Sequence, residues 1–388
     1  MQIRHIFVLI ISILLLVNAL PTKSSKSYTI PLKKKRISNS LILHYASGPS
    51  NAINIKRATN VSLSDEFSHD DAYFCEITLS NKKFNVMIDT GFGDFIIPSV
   101  NCNSTACENK VKYNPVNDTT FRTRNKTFGY VYFGGYVFGI RGTTTSMNIN
   151  GYNSGLNNDT GIIGNSGLDF GLVDVLPNNF EFDEFDGILG LASQNELVIQ
   201  PEENFYENIQ EDFSDPNQIF SLKIGREADG TESELTIGGI DQSKYTGELF
   251  LTEVVDNVYW SIRLDGFSIN GISLDFQGRI GKIVSGLSPI IVPFDDAHKI
   301  YQQIHNATDN DGRFTMPCEN EFKVKIKISS VDFDIDLRDL IDVQQLNDQQ
   351  ICNNNGWILG TTFLKNVYSV YDGSNHKIGI AKLNKSIT

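Results

Sequence analysis

The chain has 388 residues, 46 acidic against 33 basic, a formal net charge of −13 and 40% hydrophobic content, enough to bury one large or two medium cores. The acidic balance argues against nucleic acid as a partner. The six histidines show no metal-ligand spacing and no glycine-rich phosphate loop follows an apolar strand, so neither a metal nor a nucleotide cofactor is expected.

At the start of the chain, Arg4 and His5 precede the apolar stretch Ile6–Val17, and Val17-Asn18-Ala19 offers a small-residue cut. Residues 1–19 therefore read as a secretory signal, too short and too early for a membrane span. An exported, membrane-free protein is expected, secreted or else vacuolar or lysosomal. Residues 1–57 hold nine Lys/Arg and no Asp or Glu, which leaves 24 basic (33 − 9) against 46 acidic residues from Ala58 onward, a net charge of −22. Residues 20–57 thus form a basic arm on an acidic body, held by a long-range attraction that weakens as carboxylates protonate. Lys56-Arg57 is a dibasic processing site just before the body, and residues 58–68 are a short extension of it.

In the body, short apolar segments alternate with Gly/Asn/Asp turns, the spacing of an all-β protein. Glu203–Asp212 and Phe294–His305 are the helix candidates, the latter with Asp295 and Asp296 in its first turn, where they suit the helix dipole. Asp89-Thr90-Gly91 sits between two apolar runs, Phe84–Ile88 and Phe95–Pro98. A carboxylate on a tight turn between buried strands is costly, because an ionised Asp resists leaving water. The segment recurs as Lys282–Pro293, about 195 residues later: Gly286 takes the place of Gly91, Val292 of Ile97, and Val284 of Asp89. A second Asp-Thr-Gly, Asp159-Thr160-Gly161, follows the polar cluster Gly151–Asn158 and reads as a surface turn.

A duplicated strand–turn–strand unit with an acid in its first copy resembles the pepsin-like aspartic endopeptidases. Phe185–Ala192 is similar to the family's first-lobe apolar-apolar-Gly segment and Trp357–Phe363 to its second-lobe partner. Gly238–Asp241, Tyr245–Gly247 and Tyr259-Trp260 resemble the stretch entering the second lobe, and Val370–Ala381 the C-terminal strands. The likeness runs from about Tyr73 to Leu383 and implies a bilobal β fold, with an N-lobe at 69–245, a C-lobe at 246–388 and a peptide-binding cleft between them. It implies that Tyr132, in Tyr132-Phe133-Gly134-Gly135-Tyr136, is the tyrosine of a flap hairpin, with Phe133 stiffening the tip. Tyr28–Arg36 resembles the start of the family's inhibitory prosegments, whose Lys lies against the catalytic acids. The family pattern also implies disulfides Cys102–Cys107 and Cys318–Cys352, with Cys75 left as a buried, inert thiol. Seven sequons, at Asn60, Asn103, Asn117, Asn125, Asn158, Asn306 and Asn384, are glycosylation candidates in an exported chain.

The family reaction needs two carboxylates about 3 Å apart sharing one proton, one to activate a water and the other to protonate the substrate carbonyl. Asp89 with Val284 opposite supplies one. Phe92 and Leu287 stand where the family generally places a carboxylate-bonded hydroxyl, and Thr361 where many relatives carry Asp, whereas Thr90 and Ser285 keep the hydroxyls beneath the site. Asp275 and Asp295 lie outside the second turn. The expectation is a monomeric, inactive homologue that binds peptides or proteins in its cleft. The alternatives are an endopeptidase working at acid pH through Asp89, and a structural or storage glycoprotein.

Overall fold

The computed structural model describes residues 28–35, 72–132, 135–144, 147–149, 168–181, 183–192, 205, 219–276, 278–310, 313–316, 321–340 and 356–384. Cys318 and Cys352, Asn60 and Asn158, the Asp159-Thr160-Gly161 turn, Phe133 at the flap tip, the Lys56-Arg57 pair and all of Glu203–Asp212 except the buried Phe205 lie outside the described residues.

The first described strands are β1 (Tyr28–Lys35), β2 (Ala72–Leu79), β3 (Lys82–Asp89) and β4 (Phe95–Pro98). The hairpin β5 (Arg122–Tyr132) and β6 (Gly135–Thr144) follows, then β7 (Met147–Ile149), β8 (Leu168–Val175), β9 (Gly187–Gly190), β10 (Ile219–Lys223), β11 (Ser233–Ile237) and β12 (Tyr245–Glu253). The second lobe contains β13 (Ser261–Arg263), β14 (Gly266–Ile269), β15 (Ile272–Leu274), β16 (Ile280–Ile283), β17 (Ile290–Ile291), β18 (Thr308–Asn310), β19 (Arg313–Thr315), β20 (Val324–Ile328), β21 (Val331–Ile335) and β22 (Gly356–Leu359). β23 (Val367–Asp372) and β24 (Lys377–Leu383) end the chain.

This is a mostly β protein, as its turn spacing predicts. Among the described residues a 14-stranded sheet runs β12-β24-β23-β10-β11-β1-β2-β3-β9-β4-β8-β6-β5, with β7 beside β2. The second lobe adds two four-stranded sheets, β13-β16-β22-β17 and β15-β14-β20-β21. The terminal strands return to the shared sheet, where β23 pairs with β10 and β24 with β12. Strands at the centre are buried on both faces, so β9, β10 and β23 read as nearly continuous apolar runs.

The helix predicted over Phe294–His305 is shorter, Phe294–Tyr301. Its end tightens into three-residue hydrogen bonds, Gln303 N–H to Ile300 O and Ile304 N–H to Tyr301 O, and Asn306 then takes a left-handed φ of 56°. Asp295 stays exposed, but Asp296 has a role beyond the dipole. Its buried carboxylate accepts from Arg279 Nε at 2.6 Å and Arg279 Nη2 at 2.8 Å, and from Trp357 Nε1 at 2.8 Å.

The duplication is built into the sheets. β3 runs parallel to β9 with Asp89 opposite Gly190, and β4 runs antiparallel to the same strand with Phe95 opposite Leu189. In the second lobe β16 runs parallel to β22 with Ile283 opposite Leu359, and β17 antiparallel with Ile290 opposite Leu359. One more step along β16 and β22 brings Val284 opposite Gly360. The 195-residue offset therefore relates β3 to β16 and β4 to β17 (Ile88 to Ile283, Phe95 to Ile290), β9 and β22 correspond at an offset of 170 (359 − 189), and Val284, next after Ile283, corresponds to Asp89, next after Ile88.

Candidate active site

The two turns are tied to each other across the lobes by reciprocal hydrogen bonds. Thr90 Oγ1 donates to Ile283 O at 2.9 Å and accepts from Ser285 N–H at 3.0 Å. Ser285 Oγ donates to Ile88 O at 2.8 Å and accepts from Thr90 N–H at 3.0 Å. Thr90 and Ser285 are fully buried, so these four bonds satisfy backbone groups that have no access to water. The hydroxyls expected beneath the site are there and hold its floor.

Asp89 is 3% exposed. Its Oδ1 accepts from Gly91 N–H at 2.8 Å, its Oδ2 from Tyr132 Oη at 2.6 Å, and Gly286 N–H also points to the carboxylate. Burial pushes the Asp89 carboxyl above the ordinary carboxylate range, and the bonds from Tyr132, Gly91 and Gly286 pull it partly back. Among the described residues no charged partner offsets the burial. A Cβ on Gly286 would overlap the Asp89 carboxyl group, and a Cβ on Gly91 would stand 2.6 Å from Val284 Cγ1. Each turn's glycine thus makes room for the other turn's side chain, a carboxylate on one side and an isopropyl group on the other. Asp275 and Asp295 are both exposed to solvent and bring no second acid to the turn.

The predicted flap is a hairpin, β5 with β6, in which Tyr132 pairs with Gly135. Phe92 lies beneath it, buried, with its ring 4.9 Å from Tyr132 and 5.4 Å from Tyr130. Tyr132 also meets Phe180 at 5.8 Å, and Phe180 meets Phe185 at 6.1 Å. Aromatic rings therefore pack around Tyr132, and the hydroxyl of Tyr132 closes on Asp89. Among the described residues the buried Tyr130 Oη has no hydrogen-bond partner, and burial holds that hydroxyl well above its usual pKa. In the second lobe Leu287 is buried at the place of Phe92, and Thr361 gives its N–H to Leu287 O at 2.7 Å while its Oγ1 has no partner among the described residues. The patterns of the sequence placed these residues in the site but gave no sign that Tyr132 bonds Asp89 or that Phe92 packs under the flap.

The flanking features divide. Cys102 and Cys107 form the expected disulfide, with Cα atoms 6.0 Å apart. Cys75 is a free, fully buried thiol whose pKa burial pushes up to about 12, which makes the reactive thiolate scarce. Asn103, Asn117, Asn125 and Asn306 are exposed, whereas Asn384 is half-buried and its Nδ2 donates to Ser243 O at 3.0 Å. The lysines of β1 do not reach Asp89 among the described contacts: Lys34 Nζ donates to Thr231 O at 2.9 Å, and Lys33 Nζ lies 3.3 Å from Asn85 Oδ1 and 3.8 Å from Glu76. Among the described residues no group of three or more His, Cys, Asp or Glu side chains could hold a metal ion, and no helix is long and apolar enough to cross a membrane.

A family model described as eukaryotic aspartyl protease matches residues 72–383. The chain belongs to the eukaryotic aspartyl protease family. It is 31% identical to chymosin of Camelus dromedarius over 330 residues, covering 81% of each chain. It is 29% identical to gastricsin of Cavia porcellus over 329 residues, 80% of each. A probable aspartic-type endopeptidase CTSD of Arthroderma benhamiae is 28% identical over 328 residues, which is 81% of this chain and 61% of that longer protein. Pepsin-like members of the family bind peptide substrates in the cleft between their lobes, and this chain has two duplicated units joined by the hydrogen bonds of Thr90 and Ser285, with the β5–β6 hairpin reaching Asp89.

Proposed function

We propose that this protein is an exported pepsin-like homologue that binds a peptide or protein in its inter-lobe cleft without hydrolysing it. The observation that supports this reading is Val284, which follows Ile283 of β16 as Asp89 follows Ile88 of β3. Peptide hydrolysis by this family's chemistry needs a pair of carboxylates that shares a proton. An isopropyl group neither holds the attacking water nor exchanges a proton with the substrate. Removing one member of a cooperating catalytic unit costs several orders of magnitude in rate. The closed cover of Tyr132 supports the same reading, since its hydroxyl already takes one of the two Asp89 carboxylate oxygens. Asp89 then serves as a hydrogen-bond acceptor that holds the flap, and large apolar clefts bind ligands without chemistry. The protein acts as a monomer, with glycans on exposed sequons.

A second reading, an endopeptidase working at acid pH through Asp89, draws support from the raised Asp89 pKa and from relatives named as endopeptidases. One experiment separates them: cleavage of a mixed peptide library at acid pH by protein processed at Arg57, beside Asp89→Ala and Val284→Asp. Native protein and Asp89→Ala are expected to match at background. Cleavage by the native form that Asp89→Ala abolishes would overturn the non-catalytic reading.

A further inference from the structure

The face of β16 that carries Val284 is basic. Ile280, Lys282 and Val284 are half-buried while Gly281, Ile283 and Ser285 are more deeply buried, the alternation of a strand with one covered face. Val284 looks across to the first lobe, since its Cγ1 lies 2.6 Å from the place of a Cβ on Gly91. Lys282 therefore stands on the same face, two residues before the position that lacks its acid. Its ammonium rests over the ring of Tyr259, 3.8 Å from the centroid, well within the range of a cation on an aromatic face. The backbone under that ring is fixed: the Asp256 carboxylate accepts from Val258 N–H at 2.6 Å, from Tyr259 N–H at 3.0 Å and from Ser261 Oγ at 3.2 Å.

A second cation joins from β13. That strand pairs antiparallel with β16, Ser261 opposite Lys282 and Arg263 opposite Ile280. Residues opposite each other share a face, so Arg263 and Lys282 are diagonal neighbours on one side of the sheet, roughly 7–8 Å apart. Arg263 is exposed, and its guanidinium makes no ion pair among the described residues. The body around this pair points the other way, with 24 basic against 46 acidic residues from Ala58 onward. A local basic pair in such a body concentrates anionic groups at one place on its surface.

We propose that Lys282 and Arg263 make the second-lobe side of the cleft a receptor for acidic peptides, an assignment that rests on the reading of the cleft as a peptide site. Two acidic side chains two residues apart in an extended ligand project to the same side about 7 Å from each other, which matches the spacing of the two cations. Lys282, steadied by the Tyr259 ring, takes one carboxylate, and the Arg263 guanidinium, a planar fork of donors, takes the other. Val284 favours this arrangement. An acid at that position would repel a ligand carboxylate at Lys282, whereas an isopropyl group does not.

The test uses full-length protein and short fluorescein-labelled peptides built on a mixed set of apolar frames. Each frame carries Glu-x-Glu, Gln-x-Gln or Lys-x-Lys at a position moved along it, and binding is read by fluorescence anisotropy at pH 7 and low salt. The Glu-x-Glu form is expected to bind about 10-fold more tightly than the Gln-x-Gln form, with about 3-fold left in Lys282→Met or Arg263→Met and none in the double variant. Lys282→Arg should keep the preference, and rising salt should erase it. Every variant should bind the Gln-x-Gln form as the parent does, which reports an intact cleft. Equal affinity of the parent for the Glu and Gln forms, or a preference that survives in the double variant, would overturn the proposal while leaving the cleft a peptide site. Binding of none of the frames would overturn both. Cleavage of the peptides, with a rate preference for Glu-x-Glu that the double variant loses, would support the charge assignment and overturn only the non-catalytic reading.

Discussion

The turn after β3 and the turn after β16 occupy the same place in two copies of one unit, yet they are filled differently. Their backbones are equivalent: Thr90 and Ser285 exchange the same pair of hydrogen bonds, and Gly91 and Gly286 each yield space to the opposite side chain. Their side chains are not. Asp89 takes three donors to offset its burial, whereas Val284 asks for none. The frame and the reaction centre are thus separable, because the frame rests on hydroxyls and glycines that satisfy the backbone and the reaction on a second acid that the frame does not need. A second buried carboxylate would in fact burden the frame, since two like charges that close cannot both ionise.

The largest effect is expected where the comparison is most symmetric. Thr90→Val strips the donor from Ile283 O and the acceptor from Ser285 N–H, and two buried unsatisfied groups at about 1–3 kcal/mol each give a loss of about 2–6 kcal/mol. Ser285→Ala should match it, and the double variant should cost less than the sum because the residues share one network. Urea denaturation of the three proteins measures this; a loss confined to one lobe would break the equivalence of the turns. Next in size, Gly286→Ala forces a methyl group into the Asp89 carboxyl, an overpacking of about 1–3 kcal/mol. Adding Asp89→Gly should recover most of that, just as Val284→Ala should relieve Gly91→Ala. A Gly286→Ala protein as stable as the parent would sink the packing argument.

The pH dependence of stability separates the two turns more finely. The folded pKa of Asp89 is raised by burial, so its contribution is fully present below the ordinary carboxylate pKa and is lost as pH rises through the raised folded value. Asp336, held down at about 2 by Arg338, has the opposite sign: its contribution is present above the ordinary value and lost as pH falls through about 2. It is common to parent and variant and cancels in their difference. The melting temperature of the parent minus that of Asp89→Asn should therefore fall with rising pH above the ordinary carboxylate range. Tyr132→Phe removes a bond that lowers the Asp89 pKa and should extend that fall to higher pH. A flat difference curve would show that Asp89 is not desolvated. The smallest expected effect, none at all, is that of Asp89→Ala on peptide cleavage.

Much of this was legible in the chain. The 195-residue offset and the exchange of Val284 for Asp89 follow from short runs whose spacing survives duplication, while the hairpin at Tyr132 and the Cys102–Cys107 loop were implied by the family resemblance. The aromatic cover was not, because Phe92 and Tyr132 stand far apart in sequence and the same residues would fit an ordinary hairpin. Nor was the ion pair of Asp296 with Arg279, since an acid in the first turn of a helix already has a local explanation. β1 was misleading for the same reason: lysines dominate its composition, while Ile30 and Leu32, both buried, decide its place between β11 and β2.

The sequence by itself determined the all-β class, the doubled unit and the absence of a second acid in its turn, because strand period and turn chemistry depend on residues adjacent in the chain. The tertiary structure alone decided that the Asp89 carboxylate is closed off by Tyr132 and that a basic arm joins two sheets. Those outcomes depend on which buried groups find partners across long sequence distances, and burial makes the choice among them.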